Sequence, residues 1–394
     1  MVWPSRGRAR GRWSVALAAV AFVAGVAACS SSSADPGGST ASGSLSAVAA
    51  SSQVAATASV SPPPTGAALT AALDQVVKAV YDFTGTVMVT RGDKILFAKA
   101  YGDADVKARK PVALTTRFQI GSVTKQFTAM AILMLEHAGK LRLSDKICSY
   151  IPNCPVTWKP ITLTELLTHT SGLPDYFNIP AIESIVYRPQ TPEQSLGIVR
   201  KLPLQFVPGT TYQYSNTGYL MLGMVIEKVS GMSYETFLQK HIFGPLGMRD
   251  TGYDHRHQGV AVGYAIGSKP NVPLIDMSVP FSAGALYSTV GDLHRWEMAL
   301  VSGTVIPKAL VAEMELPRVG TDTAYYGYGV RVNQTGTANP PQITLIYHSG
   351  QIPGFQSSVS HDPVTGLDVI ILCNHDDADL NGMDDTLRQI VLGS

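Results

Sequence analysis

Phe118-Gln119-Ile120-Gly121-Ser122-Val123-Thr124-Lys125-Gln126-Phe127 is the stretch on which the reading of this chain turns. It passes from a short apolar segment through a glycine into a helix that carries Phe127, Ile132, Leu133 and Leu135 and stops at Gly139. Set i and i+3 on that helix, the Ser122 hydroxyl and the Lys125 amine share one face. At a first turn, free backbone N–H groups and the positive helix end favour developing negative charge. A serine hydroxyl attacks only once a base takes its proton. A lysine can be that base if burial or neighbouring cations keep it neutral. An ordinary capping serine followed by a solvated lysine gives the same pattern, so the tetrapeptide alone does not choose.

Outward from this stretch, Leu69, Leu73, Val76, Val77 and Val80 fall at helical spacing and predict an opening helix over Ala67–Val80. Gly85–Arg91, Gly92-Asp93 and Lys94–Ala100 read as a hairpin. From Lys140 to about Pro280 the pattern is helices and Pro/Gly-punctuated irregular segments. Strands are expected at Tyr326–Val332, Ile343–His348, Gln356–His361 and Leu367–Cys373, then a short helix near Asp384–Leu392. Strands at both ends with helices between predict an α+β fold. Its sheet is built from N- and C-terminal segments, with an inserted helical region over roughly 140–280.

The chain has 394 residues, 45% hydrophobic and only 15% charged, with a formal charge of +1 that gives no electrostatic reason to expect nucleic acid. Residues 1–28 combine Arg6, Arg8, Arg10 and Arg12 with an apolar run from Ser14 to Ala28, as an export signal does. Val26-Ala27-Ala28-Cys29 resembles a bacterial lipobox, which implies cleavage before Cys29 and a lipid on its thiol. Residues 30–65 hold twelve Ser, eight Ala and a single charge, Asp35, so residues 29–65 read as a lipidated cysteine and a flexible tether. The remaining 66–394 form the folded domain. Cys148 and Cys154 lie close together in a chain expected to be exported, which permits a disulfide; Cys373, ending an apolar strand, reads as a buried thiol.

Collinear segments add a resemblance. They are Gly121–Lys125, Leu166–Asp175 (Leu-Leu-Thr-His-Thr-Ser-Gly-Leu-Pro-Asp), Pro208–Tyr219, Ala283–Thr289 and Tyr347–Phe355. In that order they resemble the penicillin-binding protein and serine β-lactamase superfamily, on its class C and DD-peptidase branch. The resemblance implies a β-lactamase/transpeptidase-like fold, an antiparallel sheet flanked by N- and C-terminal helices beside an all-helical region. It implies Ser122 as nucleophile and Lys125 with Tyr214 as proton carriers, Tyr214 being useful if nearby cations lower its pKa. It also implies Asn216 as a holder of the substrate amide carbonyl. Tyr176-Phe177-Asn178 is a rival to Tyr214-Ser215-Asn216, set aside because Tyr176 directly follows the Leu166–Asp175 match. A third element, Lys/His-x-Gly ending a strand, fits His137, His257 and His348; His348 follows a strand and precedes Gly350 and Gly354, so it is preferred. By resemblance Ser349 and Gly350 line the substrate, and the N–H groups of Ser122 and Gln351 hold the oxyanion.

His348 stands where typical β-lactamases of this branch have Lys, and a histidine is charged only part of the time near neutral pH. That lowers the expectation of efficient β-lactam hydrolysis. Asp254-His255-Arg256-His257 lacks a third metal ligand at a recognisable spacing and reads as a polar loop. His375-Asp376-Asp377 reads as a turn, His169 as structural, and Asn333-Gln334-Thr335 is discounted as a glycosylation site. No metal or organic cofactor is implied. The expectation is a serine hydrolase facing outward from a bacterial membrane through Cys29, acting on stem peptides ending in D-Ala. The rivals are an esterase, a weak β-lactamase and a non-catalytic binding lipoprotein.

Overall fold

The computed structural model describes residues 64–81, 83–265, 273–303, 306–336, 342–376 and 378–393. The leader, Cys29 and the tether before residue 64 lie outside the described residues.

An eight-stranded, wholly antiparallel sheet carries the fold. Its strands are β1 (Gly85–Arg91), β2 (Lys94–Tyr101), β3 (Val319–Gly320), β4 (Tyr325–Tyr326), β5 (Arg331–Thr335), β6 (Gln342–Ile352), β7 (Phe355–Asp362) and β8 (Leu367–Cys373). The order β2-β1-β8-β7-β6-β5-β4-β3 places the N-terminal hairpin directly against the C-terminal strand. Helices α1 (Gly66–Ala79) and α6 (Leu380–Leu392) cover one face. There Leu69, Leu73 and Val77 of α1 and Met383, Leu387 and Val391 of α6 pack on Val87, Val89, Val369 and Ile371. Because side chains alternate along a strand, Thr90, Asp368 and their neighbours face the other way. They face α4 (Val290–Ser302), which packs on β8 and β1.

Between the N-terminal hairpin and α4 lie α2 (Thr124–His137), α3 (Asn216–Ser230) and shorter helices such as Leu163–Leu167 and Tyr234–Leu238. The segment α5 (Lys308–Glu315) then leads into β3. Every residue of α2 from Thr124 to Leu133 is buried, including the polar Lys125 and Gln126. It is the central helix, and Gln126 accepts a hydrogen bond from Trp296 of α4 at 2.8 Å. Cys148 and Cys154 are joined, with Cα atoms 5.3 Å apart, and Cys373 is a buried free thiol.

Two strand expectations need correction. Tyr326–Val332 is not continuous, since β4 ends at Tyr326 and β5 begins at Arg331. Gly329 there has φ +75° and packs its Cα side against the Lys125 carbonyl. A strand cannot pass through that conformation. Nor does a strand end before His348, because β6 runs on to Ile352 and pairs with β7 throughout. The closing helix also begins earlier than Asp384, at Leu380, where the Asp379 side chain caps it by accepting from Gly382 N–H.

The extension of β6 positions the site. A Cβ at Gly350 would lie 2.0 Å from the Ile120 carbonyl oxygen, and one at Gly121 would lie 2.7 Å from the Gln351 nitrogen. Only glycine permits this approach of strand to turn. Gly350→Ala should therefore destabilise the fold by about 2–3 kcal/mol, read from urea unfolding. An unchanged midpoint would show that β6 is not held against Ile120.

Candidate active site

Ser122 sits on a tight turn, Gly121–Val123, immediately before α2, so α2 itself starts at Thr124. The Lys125 amine is fully buried beneath it, with three neighbours. Nζ lies 3.0 Å from Ser122 Oγ, 2.9 Å from Asn216 Oδ1 and 2.7 Å from the Ala283 carbonyl oxygen. Burial pushes its pKa down to about 7, and the Asp175 charge opposes the drop. A neutral amine has two hydrogens and one lone pair. Asn216 Oδ1 and Ala283 O can only accept, so they take both hydrogens. The lone pair is then left for the Ser122 hydroxyl proton. This arrangement makes Lys125 a base toward Ser122.

Each of the two acceptors is itself fixed. Asn216 Nδ2 donates to Asp175 Oδ2 at 2.7 Å, which sets the amide so that its oxygen faces Lys125. Asp175 also accepts from the Phe177 N–H at 3.0 Å. Burial raises the Asp175 pKa, against the pull of those hydrogen bonds and of Lys125. Ala283 closes a short turn, Phe281–Ala283, in which Phe281 adopts φ +42°. A buried phenylalanine in the left-handed region stores roughly 1–3 kcal/mol of strain, here spent on aiming a carbonyl at the amine.

Tyr214 flanks the pair, its ring centroid 4.9 Å from Lys125 Nζ. The expectation of a phenol with lowered pKa is reversed. Burial of the Tyr214 hydroxyl pushes it well above its ordinary value, with the neighbouring Ser122 hydroxyl acting the other way. At neutral pH Tyr214 is an O–H, able to donate a proton but not resting as phenolate. His169 sets its loop: φ is +59°, Nδ1 accepts from Ser215 N–H at 3.1 Å, and the rings of His169 and Tyr214 lie 4.2 Å apart. Burial lowers the His169 pKa well below its ordinary value, so it is neutral.

His348 is brought to the same cluster, its ring 6.3 Å from that of Tyr214, and its charge state corrects the sequence reading. Its Nδ1 lies 2.7 Å from the Ser349 carbonyl oxygen, an acceptor, and its Nε2 lies 3.1 Å from the Tyr326 hydroxyl. Nδ1 therefore carries the hydrogen and Nε2 accepts from Tyr326, the pattern of a neutral imidazole. Burial, followed by repulsion from Lys125, pushes its pKa down to about 3. His348 is uncharged throughout the physiological range. Gly350 is buried with it, whereas Ser349 is exposed. Gln351 reaches the turn through its backbone, beside Gly121 and one residue from Ser122.

The rivals stay outside. The Tyr176 hydroxyl is taken up by the Val279 carbonyl at 2.7 Å. His137 is exposed at the end of α2, and His257 lies in a loop, bonded to Gln119 and Ile275. The residues that sequence reasoning missed are Asp175 and Tyr326. Asp175 ended a quoted segment without a role, and nothing in the spacing of Tyr326 links it to His348.

The chain has counterparts. The family described as beta-lactamase matches residues 73–392. Penicillin-binding protein 4* of Bacillus subtilis (strain 168) is 30% identical over 298 residues, which is 70% of this chain; the chain spans 65% of that relative's length. A penicillin binding protein from Bacillus halodurans superposes with a TM-score of 0.72 at 28% identity, over 81% of this chain and 98% of that one. The D-amino acid amidase from Ochrobactrum anthropi SV3, complexed with L-phenylalanine amide, does so with a TM-score of 0.68 at 25% identity, over 82% and 97%.

The geometry predicts how Ser122 responds to a fluorophosphonate, which reports nucleophilicity without demanding a substrate. Labelling should rise about tenfold per pH unit below 7 and level off above it, because the amine must first lose its proton. Lys125→Met should cut the rate by roughly 10²–10⁴-fold. A profile flat from pH 5 to 9, followed by intact mass, would remove Lys125 as the base.

Proposed function

We infer that this chain, which belongs to the beta-lactamase family, is a serine hydrolase that works through an acyl-enzyme on Ser122. The observation that carries this reading is the buried Lys125 amine, whose two hydrogens are taken by Asn216 and Ala283 while its lone pair faces the Ser122 hydroxyl. Ser122 Oγ attacks an acyl carbonyl as its proton passes to Lys125. The N–H groups of Ser122 and Gln351 hold the oxyanion, which is worth several kcal/mol in a pre-set site. Tyr214, an un-ionised phenol, passes a proton to the leaving group and is restored from Lys125. Water, deprotonated by the same base, then releases the acyl group and frees Ser122.

For substrate we propose peptides ending in D-Ala, cleaved in the manner of a carboxypeptidase. Support comes from the likeness to penicillin-binding proteins and from residues 1–29, whose resemblance to an export signal ending in a lipobox is the basis for proposing a bacterial cell-surface location on a Cys29 anchor. Arg331 on β5 supplies a cation whose field reaches both His348 and Tyr214. One observation favours a second reading. The neutral His348 offers no charge to a terminal carboxylate, as suits an amide or ester such as those of a D-amino acid amidase.

A substrate panel separates these. The full chain and Ser122→Ala are incubated with a D-Ala-D-Ala peptide, its C-terminal amide, a nitrophenyl ester and a penicillin, and followed by turnover and intact mass. The carboxypeptidase reading expects Ser122-dependent loss of D-Ala from the free acid and a lasting penicillin adduct. It also expects Arg331→Ala to raise KM for the acid several-fold while leaving the amide unchanged. Preference for the amide or ester overturns it in favour of the second reading. No adduct and no Ser122-dependent turnover on any compound overturns the hydrolase itself.

A further inference from the structure

A second cluster of reactive side chains lies between α4 and the sheet and shares no residue with the Ser122 site. His361 of β7 and Asp368 of β8 are direct cross-strand partners, and Thr90 of β1 is the partner of Asp368 on its other side. Directly paired residues point to the same face, here the face covered by α4. His361 Nδ1 lies 2.6 Å from Asp368 Oδ1, and Asp368 Oδ2 accepts from Thr90 Oγ1 at 3.0 Å. From α4, Glu297 reaches into this row, so that one ligand atom from each of Glu297, His361 and Asp368 falls within 4.8 Å of the others.

Glu297 is the anomaly. Its residue is only 5% exposed, yet among the described residues no hydrogen bond is made to its carboxylate, and the cation beside it is His361. Burying a carboxylate without a partner costs several kcal/mol, and natural interiors avoid it. Two further acids aggravate the problem, for the charges of Asp368 and Glu315 both act on Glu297. His294, on α4, and Thr90 add no full positive charge; His361 is the single titratable cation facing the group, and it is already bonded to Asp368.

We propose that Glu297, His361 and Asp368 form a binding site for one divalent transition-metal ion that ties α4 to the centre of the sheet. The donor set suits the role. One imidazole and two carboxylates are a common set for zinc, manganese or iron(II), with water completing the shell. Ligand atoms around such an ion stand about 3.4 Å apart for bonds of about 2.1 Å. An ion also balances the site, because a dication matches the two carboxylates while His361 binds as a neutral ring. The protons that otherwise neutralise the cluster are thereby displaced.

The test uses the full chain after dialysis against a chelator, with Zn²⁺ or Mn²⁺ added alone. Calorimetry should show one ion bound per chain and a rise in Tm, since a ligand that binds only the folded state stabilises it. Glu297→Gln, which matches the shape of the protonated acid, should fold normally and weaken binding roughly tenfold or more; His361→Gln should do the same. An anomalous-diffraction peak at the metal edge between His361 and Asp368 checks the site in the unmodified protein, whatever the variants do. No binding of either ion, binding unchanged in both variants, or a peak elsewhere overturns the proposal. Fluorophosphonate labelling of Ser122 should persist in Glu297→Gln, so loss of the metal site and failure of the hydrolase reading remain distinct outcomes.

Discussion

A lysine amine enclosed by two carbonyl-type acceptors and one hydroxyl is the constraint around which this molecule is organised. In water that amine would carry its proton up to about pH 10. Here burial brings the midpoint to about 7, and the enclosure decides where the resulting lone pair points. Desolvation alone would give a neutral lysine of any orientation; the acceptors give it a direction. Asn216 can perform this only because Asp175 holds its amide the right way round, and Ala283 only because Phe281 accepts an unfavourable φ. The segments supplying these groups are far apart in sequence. The helical region and the Phe281–Ala283 turn must both close on α2 before Ser122 has a base.

The second constraint is the close approach of β6 to the turn that carries Ser122. Gly350 and Gly121 remove the side chains that would keep the two backbones apart. The same strand delivers His348, and its register decides the electrostatics. Side-chain alternation turns His348 inward, against Tyr326 and beneath solvent, where an imidazolium would be costly. A lysine at this position could extend past such surroundings and keep its charge in water. A histidine cannot. The single residue difference therefore changes the local field from positive to neutral while leaving the nucleophile and its base intact, and any grip on a substrate carboxylate has to come from elsewhere.

What the sequence disclosed and what it hid follow from the range over which each interaction acts. The hairpin at Gly85–Arg91 and Lys94–Tyr101, the helix after Ser122 and the apolar strand Leu367–Cys373 are written in local periodicity and turn residues, and they were legible. The Ser122–Lys125 pair was legible as well, because its geometry is set within one helical turn. Tyr326 was not, since its meeting with His348 depends on the chain breaking at Gly327–Val330, where glycines read equally well as part of a strand. The protonation of Tyr214 and His348 was misjudged for one reason: both expectations assumed neighbouring charge or solvent, whereas burial dominates each. Burial belongs to the whole fold. Asp175 shows the intermediate case, present in a recognised segment but given no task until the structure placed it on Asn216.

Two buried titratable groups, Lys125 and Glu297, show how differently a fold can treat the same cost. Both lie in the interior and both are driven toward their neutral forms. Lys125 is surrounded by groups that complement the neutral amine, so removing its proton leaves every hydrogen with a partner. Among the described residues no hydrogen bond is made to the Glu297 carboxylate, and one of its oxygens lies within 4.8 Å of ligand atoms of His361 and Asp368. Protonation lessens the electrostatic cost there without supplying a hydrogen bond from the described residues. The proposed ion complements the charged form instead: a compact dication accepts electron pairs from the His361 nitrogen and the two carboxylates together, which a proton does not.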